Sequence, residues 1–163
     1  MLLFLKNLVF TILVPGTVAV VIPYRIVSHA PHGSVFEPLR LVCAAPAFLI
    51  GAAMYFWCLW DFAVVGRGTP APIDPPRQLI VRGLYRYVRN PIYLGVLLVI
   101  VGWAVASGSR RVFVYGIAVA LLFHAFVFLV EEPLLRRRFG SAYEAYCGTV
   151  RRWLPGRPKG RAA

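Results

Sequence analysis

Arg82 to Gly95 reads RGLYRYVRNPIYLG, with Arg82, Arg86 and Arg89 set among Tyr85, Tyr87 and Tyr93. The basic and aromatic run stops at Pro91, and an apolar segment starts directly after it. A polar site built at a membrane surface has this form. Asn90 and Pro91 suit the N-cap and first turn of a helix, which would present free N–H groups and a positive dipole end to a carboxylate or phosphate. A second polar pair, Glu131-Glu132, follows the next two apolar segments and returns to the same membrane face. If those segments form an antiparallel hairpin, a glutamate faces Arg89 across a few ångströms. The same residues also suit a plain interfacial salt bridge, worth under about 1 kcal/mol if exposed.

The elements that must position these residues are membrane helices. Of 163 residues, 60% are hydrophobic and 15% charged, and the mean hydropathy is +0.71. A soluble domain is roughly half apolar and about a quarter charged. The apolar residues fall in blocks at about 8–24, 39–65, 92–107 and 112–130. The expected fold class is therefore all-α, a polytopic membrane protein with four transmembrane helices. Pro15-Gly16 would kink the first helix. No small-x-small cleavage site follows near Ile22, so the first block is read as a retained helix rather than a signal peptide. Trp57, Trp60 and Asp61 mark the far end of the second. Gly108-Ser109-Arg110-Arg111 closes a tight hairpin of the third and fourth, and Gly95, Gly102, Ala104 and Ala106 allow close packing.

Charge gives the orientation. Segment 66–91 holds five arginines and the chain after Val130 holds eight basic residues; with Lys6 that makes fourteen, against four (Arg25, Arg40, Arg110, Arg111) on the other side. Both termini are expected to be cytoplasmic. The net charge of +12 is read as retention on that side and attraction to anionic lipid, with no nucleic-acid partner, since no nucleic-acid motif is present.

The cytoplasmic parts carry signals of their own. GRGTPAPIDPP at 66–76 has four prolines and is expected as a loop. Gln78 to Tyr87 reads as a short strand or turn. Phe139, Tyr143, Tyr146 and Val150 share one helix face, so 131–155 is expected as one or two interfacial amphipathic helices interrupted near Gly140. Residues 1–155 form one domain, and 156–163 read as a disordered tail. Cys43, Cys58 and Cys147 form no CxxC pair, and His29, His32 and His124 lie apart, so no metal site is expected. His124 lies in an apolar block, where a neutral histidine bonded to a neighbouring helix is one reading and a functional role another.

The residues Gly83 to Gly95, Glu131-Glu132, Leu135, Phe139-Gly140, Tyr143, Tyr146 and Trp153-Leu154-Pro155 together resemble the isoprenylcysteine carboxyl methyltransferase and phospholipid methyltransferase group of integral membrane enzymes. The resemblance runs from Gly66 to Pro155. Many members have histidine where this chain has Asn90 and proline where it has Leu84. The resemblance implies S-adenosylmethionine as methyl donor and no metal. It implies a donor pocket formed by loop 66–91 and segment 131–155, lined by Tyr85, Arg89, Asn90, Pro91, Tyr93 and Glu131. Arg89, Glu131 and Glu132 are the implied catalytic residues. Arg89 or the helix end would hold the donor carboxylate, a glutamate its ammonium, and a tyrosine face its sulfonium. The expected reaction is carboxyl O-methylation of an isoprenylcysteine-like or other lipid-like acceptor drawn from the bilayer. The alternatives are N-methylation of a phospholipid amine, a non-enzymatic membrane binding protein, and a transport or redox accessory. Few polar residues lie inside the spans and paired histidines are lacking, which argues against the last. The sequence leaves the oligomeric state open.

Overall fold

The computed structural model describes residues 9–29, 37–66 and 78–156. Lys6, the proline-rich stretch from 67 to 76 and the tail from 157 to 163 lie outside the described residues. All regular structure among the described residues is helical: α1 (Val9–Ser28), α2 (Pro38–Gly66), α3 (Pro91–Ser107), α4 (Arg110–Phe139) and α5 (Ser141–Thr149), with one 3-10 turn at Gly83–Arg86. α1, α2 and α4 are long and apolar enough to cross a membrane, and α3 is a shorter apolar helix of 17 residues. Their apolar side chains point outward as much as inward. Leu39, Leu49, Leu121 and Leu129 are largely exposed, as lipid-facing residues must be. The chain is an integral membrane protein.

Two prolines are absorbed by widened turns. Pro15 lies in a π-helical stretch of α1, Ile12–Val21. A wide turn of this kind leaves carbonyls in need of donors, and the Tyr115 hydroxyl of α4 donates to Val18 O at 2.8 Å. In α4 the π turn Val127–Glu131 comes just before Pro133. It relieves the clash that the proline ring would make with the preceding turn. The expected end of the fourth helix at Val130 is thus corrected, since α4 runs unbroken to Phe139. The break comes at Gly140, as its φ of +51° requires, and α5 follows.

The glycines of α3 serve a different neighbour from the one expected. A Cβ at Gly95 would lie 2.8 Å from Gly51 O, and one at Gly51 would lie 2.7 Å from Gly95 O. Gly102 lies against the Phe48 ring. The close backbone approach is therefore between α2 and α3, not within the α3–α4 hairpin. That hairpin is closed by Gly108 at φ +60° and by the Ser109 side chain, which accepts from Val112 N. The Arg40 guanidinium lies against Gly108, which puts the start of α2 at the same end as this connection.

Candidate functional site

At the opposite end, the segment before α3 is a turn rather than a strand. Gly83 takes φ +55°, Arg82 O accepts from Tyr85 N at 3.0 Å, and Leu84 O accepts from Tyr87 N at 3.0 Å. Asp61, in the last turns of α2, accepts from Arg82 Nε at 2.8 Å. From the other side the Tyr146 hydroxyl of α5 donates to Tyr85 O at 2.7 Å. The Tyr85 ring is thereby turned inward, where the Phe62 ring meets it edge-on at 6.0 Å. Burial holds the Tyr85 phenol well above the ordinary tyrosine range, with Cys58 and Glu131 adding to the shift.

The chain returns after α5 and straps the start of α3. Arg89 N donates to Arg151 O at 2.9 Å, and Gly156 N donates to Tyr87 O at 3.0 Å. Asn90 makes no side-chain cap; its amide donates instead to Arg152 O at 3.1 Å. The placing of Asn90 and Pro91 at this helix end is as expected, and what differs is where the Asn90 side chain turns. Asn90 holds the N-cap position without a side-chain cap bond, and the Arg89 N–H just before the helix is taken up by the strap. Pro91 is fully buried at the helix start, outside the lining of the cleft.

The two glutamates divide their work. Glu132 is buried between two arginines. Arg152 donates through Nε to Oε1 at 2.7 Å and through Nη2 to Oε2 at 2.8 Å, and Arg89 Nη1 stands 3.3 Å from Oε1. This bidentate bond is the first cause that raises the Arg152 pKa. Glu131 has no arginine partner among the described residues. It accepts one bond, from the Tyr93 hydroxyl at 2.8 Å. Arg89 also donates to Cys147 Sγ, and its Nε is buried without a partner. Burial raises the phenols of Tyr143 and Tyr146, so both stay neutral donors.

These side chains surround a cleft with about 830 Å³ of empty space, its mouth included. Tyr85, Arg89, Asn90, Tyr93, Glu131 and Glu132 supply its polar wall, and Leu79, Phe126, Leu135 and Phe139 are among its apolar residues. A second chamber of about 570 Å³ lies toward α1 and is lined largely by apolar groups such as Val14, Val18, Val96 and Phe123. It shares Phe62, Tyr85, Arg89, Asn90, Tyr93 and Glu131 with the first. Among the described residues no cluster of three or more His, Cys, Asp or Glu converges as a metal site would need.

The structure thus brings together five of the six expected donor-site residues, Tyr85, Arg89, Asn90, Tyr93 and Glu131. Sequence reasoning missed Arg152, Tyr146 and Cys147 as neighbours of the site. The signal for Arg152 was available: two adjacent glutamates at a membrane surface call for basic partners, and Arg151-Arg152 lies within the resembling segment. His124 is bonded to the strap rather than to a helix, accepting at Nδ1 from Trp153 Nε1 at 3.0 Å.

A model of the phospholipid methyltransferase family matches residues 39–142, which takes in α2, the turn, α3, α4 and the first residues of α5. The chain belongs to the phospholipid methyltransferase family. Within the match lies most of the cleft lining, from Phe62 to Phe139, while Tyr143, Tyr146 and the strap that carries Arg152 lie beyond it. A curated relative is delta(14)-sterol reductase TM7SF2 of Mus musculus, 32% identical over 93 residues. The alignment covers 55% of this chain and 22% of that protein, so the chain spans about a fifth of the relative's length. No solved structure matches. Membership of the phospholipid methyltransferase family and the apolar helices together make this a membrane methyltransferase fold.

Proposed function

We propose that the protein transfers a methyl group from S-adenosylmethionine to a lipid-like acceptor at the cytoplasmic membrane face. The observation that carries this reading is the cleft itself, whose lining holds both Glu131, a carboxylate with no arginine partner among the described residues, and Arg89, whose Nε is buried and unpartnered among them. Those groups match the ammonium and carboxylate of an amino-acid donor, and the cleft sets a few polar groups in a largely apolar lining, as small-molecule sites do. Arg89 would hold the carboxylate, Glu131 the ammonium, and the faces of Tyr85 and Tyr93 would flank the sulfonium. When bound, the donor supplies an electrophilic methyl group. The chain's own residues bind, align and exclude water, which suffices for an acceptor that is already a nucleophile.

The second chamber suits the apolar tail of an acceptor, and its shared wall at Tyr85 and Tyr93 would set the acceptor head beside the donor. The motif favours a carboxylate acceptor of the isoprenylcysteine type, giving an ester. A second reading, N-methylation of a phospholipid amine, is favoured by the arginine-free Glu131, which would take the ammonium proton. α3, at about 1.5 Å per residue, would be a short fourth span, and the arginine count would put both termini, and the cleft with them, on the cytoplasmic side. Anionic lipids would meet the exposed Arg137, Arg138 and Arg151.

The test uses membranes holding the full chain, methyl-labelled S-adenosylmethionine and both acceptor classes, with Glu131→Gln as control. Label volatile in mild base identifies a methyl ester. Base-stable label in the lipid fraction identifies an amine acceptor. Label equal to that of the control in every fraction sinks the methyltransferase reading.

A further inference from the structure

Among the described residues Asp61 is the one buried carboxylate that lies outside the lining of both chambers. Its side chain has no exposed surface, while its partner Arg82 is half exposed. Oδ1 accepts from Arg82 Nε, and Oδ2 has no hydrogen-bond partner among the described residues. A carboxylate held there at such cost is expected to do more than pair with a half-solvated arginine, because burying an unsatisfied polar atom is unfavourable.

Oδ2 lies against Gly83, where a Cβ would come within 2.5 Å of it and within 2.8 Å of Trp57 Nε1. Gly83 is in the left-handed region, so both its conformation and the carboxylate beside it exclude a side chain. From there the linkage is short. Arg82 O accepts from Tyr85 N at 3.0 Å, and Tyr85 lines both chambers. The next residue of α2, Phe62, packs on the Tyr85 ring. The end of α2 therefore grips the turn at its start, and Tyr146 grips it at Tyr85 O.

We infer that Asp61 is a positioning residue: its buried carboxylate fixes Arg82 and Gly83, and through them sets the Tyr85 ring as the partition between the donor cleft and the apolar chamber. This rests on the methyltransferase reading for its effect on turnover, but not for its effect on the turn.

The test compares wild type, Asp61→Asn, Tyr85→Ala and the double variant, each as the full chain in lipid nanodiscs. Asp61→Asn keeps the shape of the side chain and removes its charge. The expected result is a donor KM raised about tenfold, less than the roughly hundredfold that a 1 Å misplacement can cost, with kcat within about twofold. In the Tyr85→Ala background the same change should add less than about twofold, because the two residues act in one chain of contacts. Amide exchange of residues 82–88 should also speed up in Asp61→Asn. Should that variant fail to fold, Arg82→Gln breaks the same link from its exposed side and is held to the same expectations. Unchanged KM with unchanged exchange overturns the inference, as does an equal loss in the Tyr85→Ala background. If the wild type itself neither binds nor turns over the donor, the methyltransferase reading fails, and the exchange of 82–88 alone decides whether Asp61 holds the turn.

Discussion

Glu131 and Glu132 are adjacent in sequence and differ in what they touch. Glu132 is enclosed by Arg89 and Arg152, and removing its charge would leave two guanidiniums facing each other in a buried place. Breaking a buried pair from one side costs about 3–5 kcal/mol. Glu132→Gln is therefore expected to lower thermal stability in detergent clearly, along with activity, and a melting curve checks it. Among the described residues Glu131 has only the Tyr93 hydroxyl as partner. Glu131→Gln is expected to melt near the wild-type temperature while donor binding falls at least about tenfold, the loss of roughly one charged contact. Equal melting losses for the two variants would contradict this division. Arg152→Lys separates them further, because lysine lacks the planar fork that engages both Glu132 oxygens. It should behave as a weaker form of Glu132→Gln.

At the scale of elements, the cleft depends on how α2, α3 and α4 are held. The Gly51–Gly95 contact brings the backbones of α2 and α3 together, and this sets Asp61 in the last turns of α2 beside the turn that leads into α3. Gly95→Ala would place a methyl group 2.8 Å from Gly51 O, so the helices must part. Overpacking of this kind costs about 1–3 kcal/mol. The expected outcome is a protein that inserts but melts earlier and binds donor less tightly, whereas Gly148→Ala, whose Cβ meets nothing within 4 Å, should leave both unchanged. The π turn before Pro133 has a similar role, because it lets one continuous helix carry both glutamates to the cleft.

At the scale of the whole molecule, α2, α3, α4 and α5 join at one polar end. α2 supplies Asp61 and Phe62, α3 supplies Tyr93, α4 supplies both glutamates, and the strap after α5 supplies Arg152 and covers the start of α3. The cleft and the apolar chamber meet there across the Tyr85–Tyr93–Glu131 wall. The proposed orientation has a direct check. A single cysteine placed at Arg137, in a background lacking Cys43, Cys58 and Cys147, should react with an impermeant thiol reagent only after the cells are opened. One placed at Arg111 should react in intact cells. The reverse pattern would turn the protein over and place the cleft on the other side of the membrane.

Helix positions and the two polar clusters were legible in the residues, because hydropathy blocks, prolines and glycines act locally along the chain. Gly140 broke the C-terminal helix as its lack of a side chain allows, and Arg89 faced a glutamate as the hairpin demanded. The sequence could not say which glutamate. Neighbours on one helix turn differ in environment only through what packs on them, and the partners of Glu132 come from segments 43 residues before it and 20 residues after it. The partner of Asn90 was hidden for the same reason, since from its N-cap position its amide turns to Arg152 O, 62 residues away. Asp61, read as a mark of the membrane surface, gained its meaning from Gly83 and Arg82 across the turn. Local patterns determined the elements of this protein; long-range packing in a medium without water decided which polar groups had to find one another.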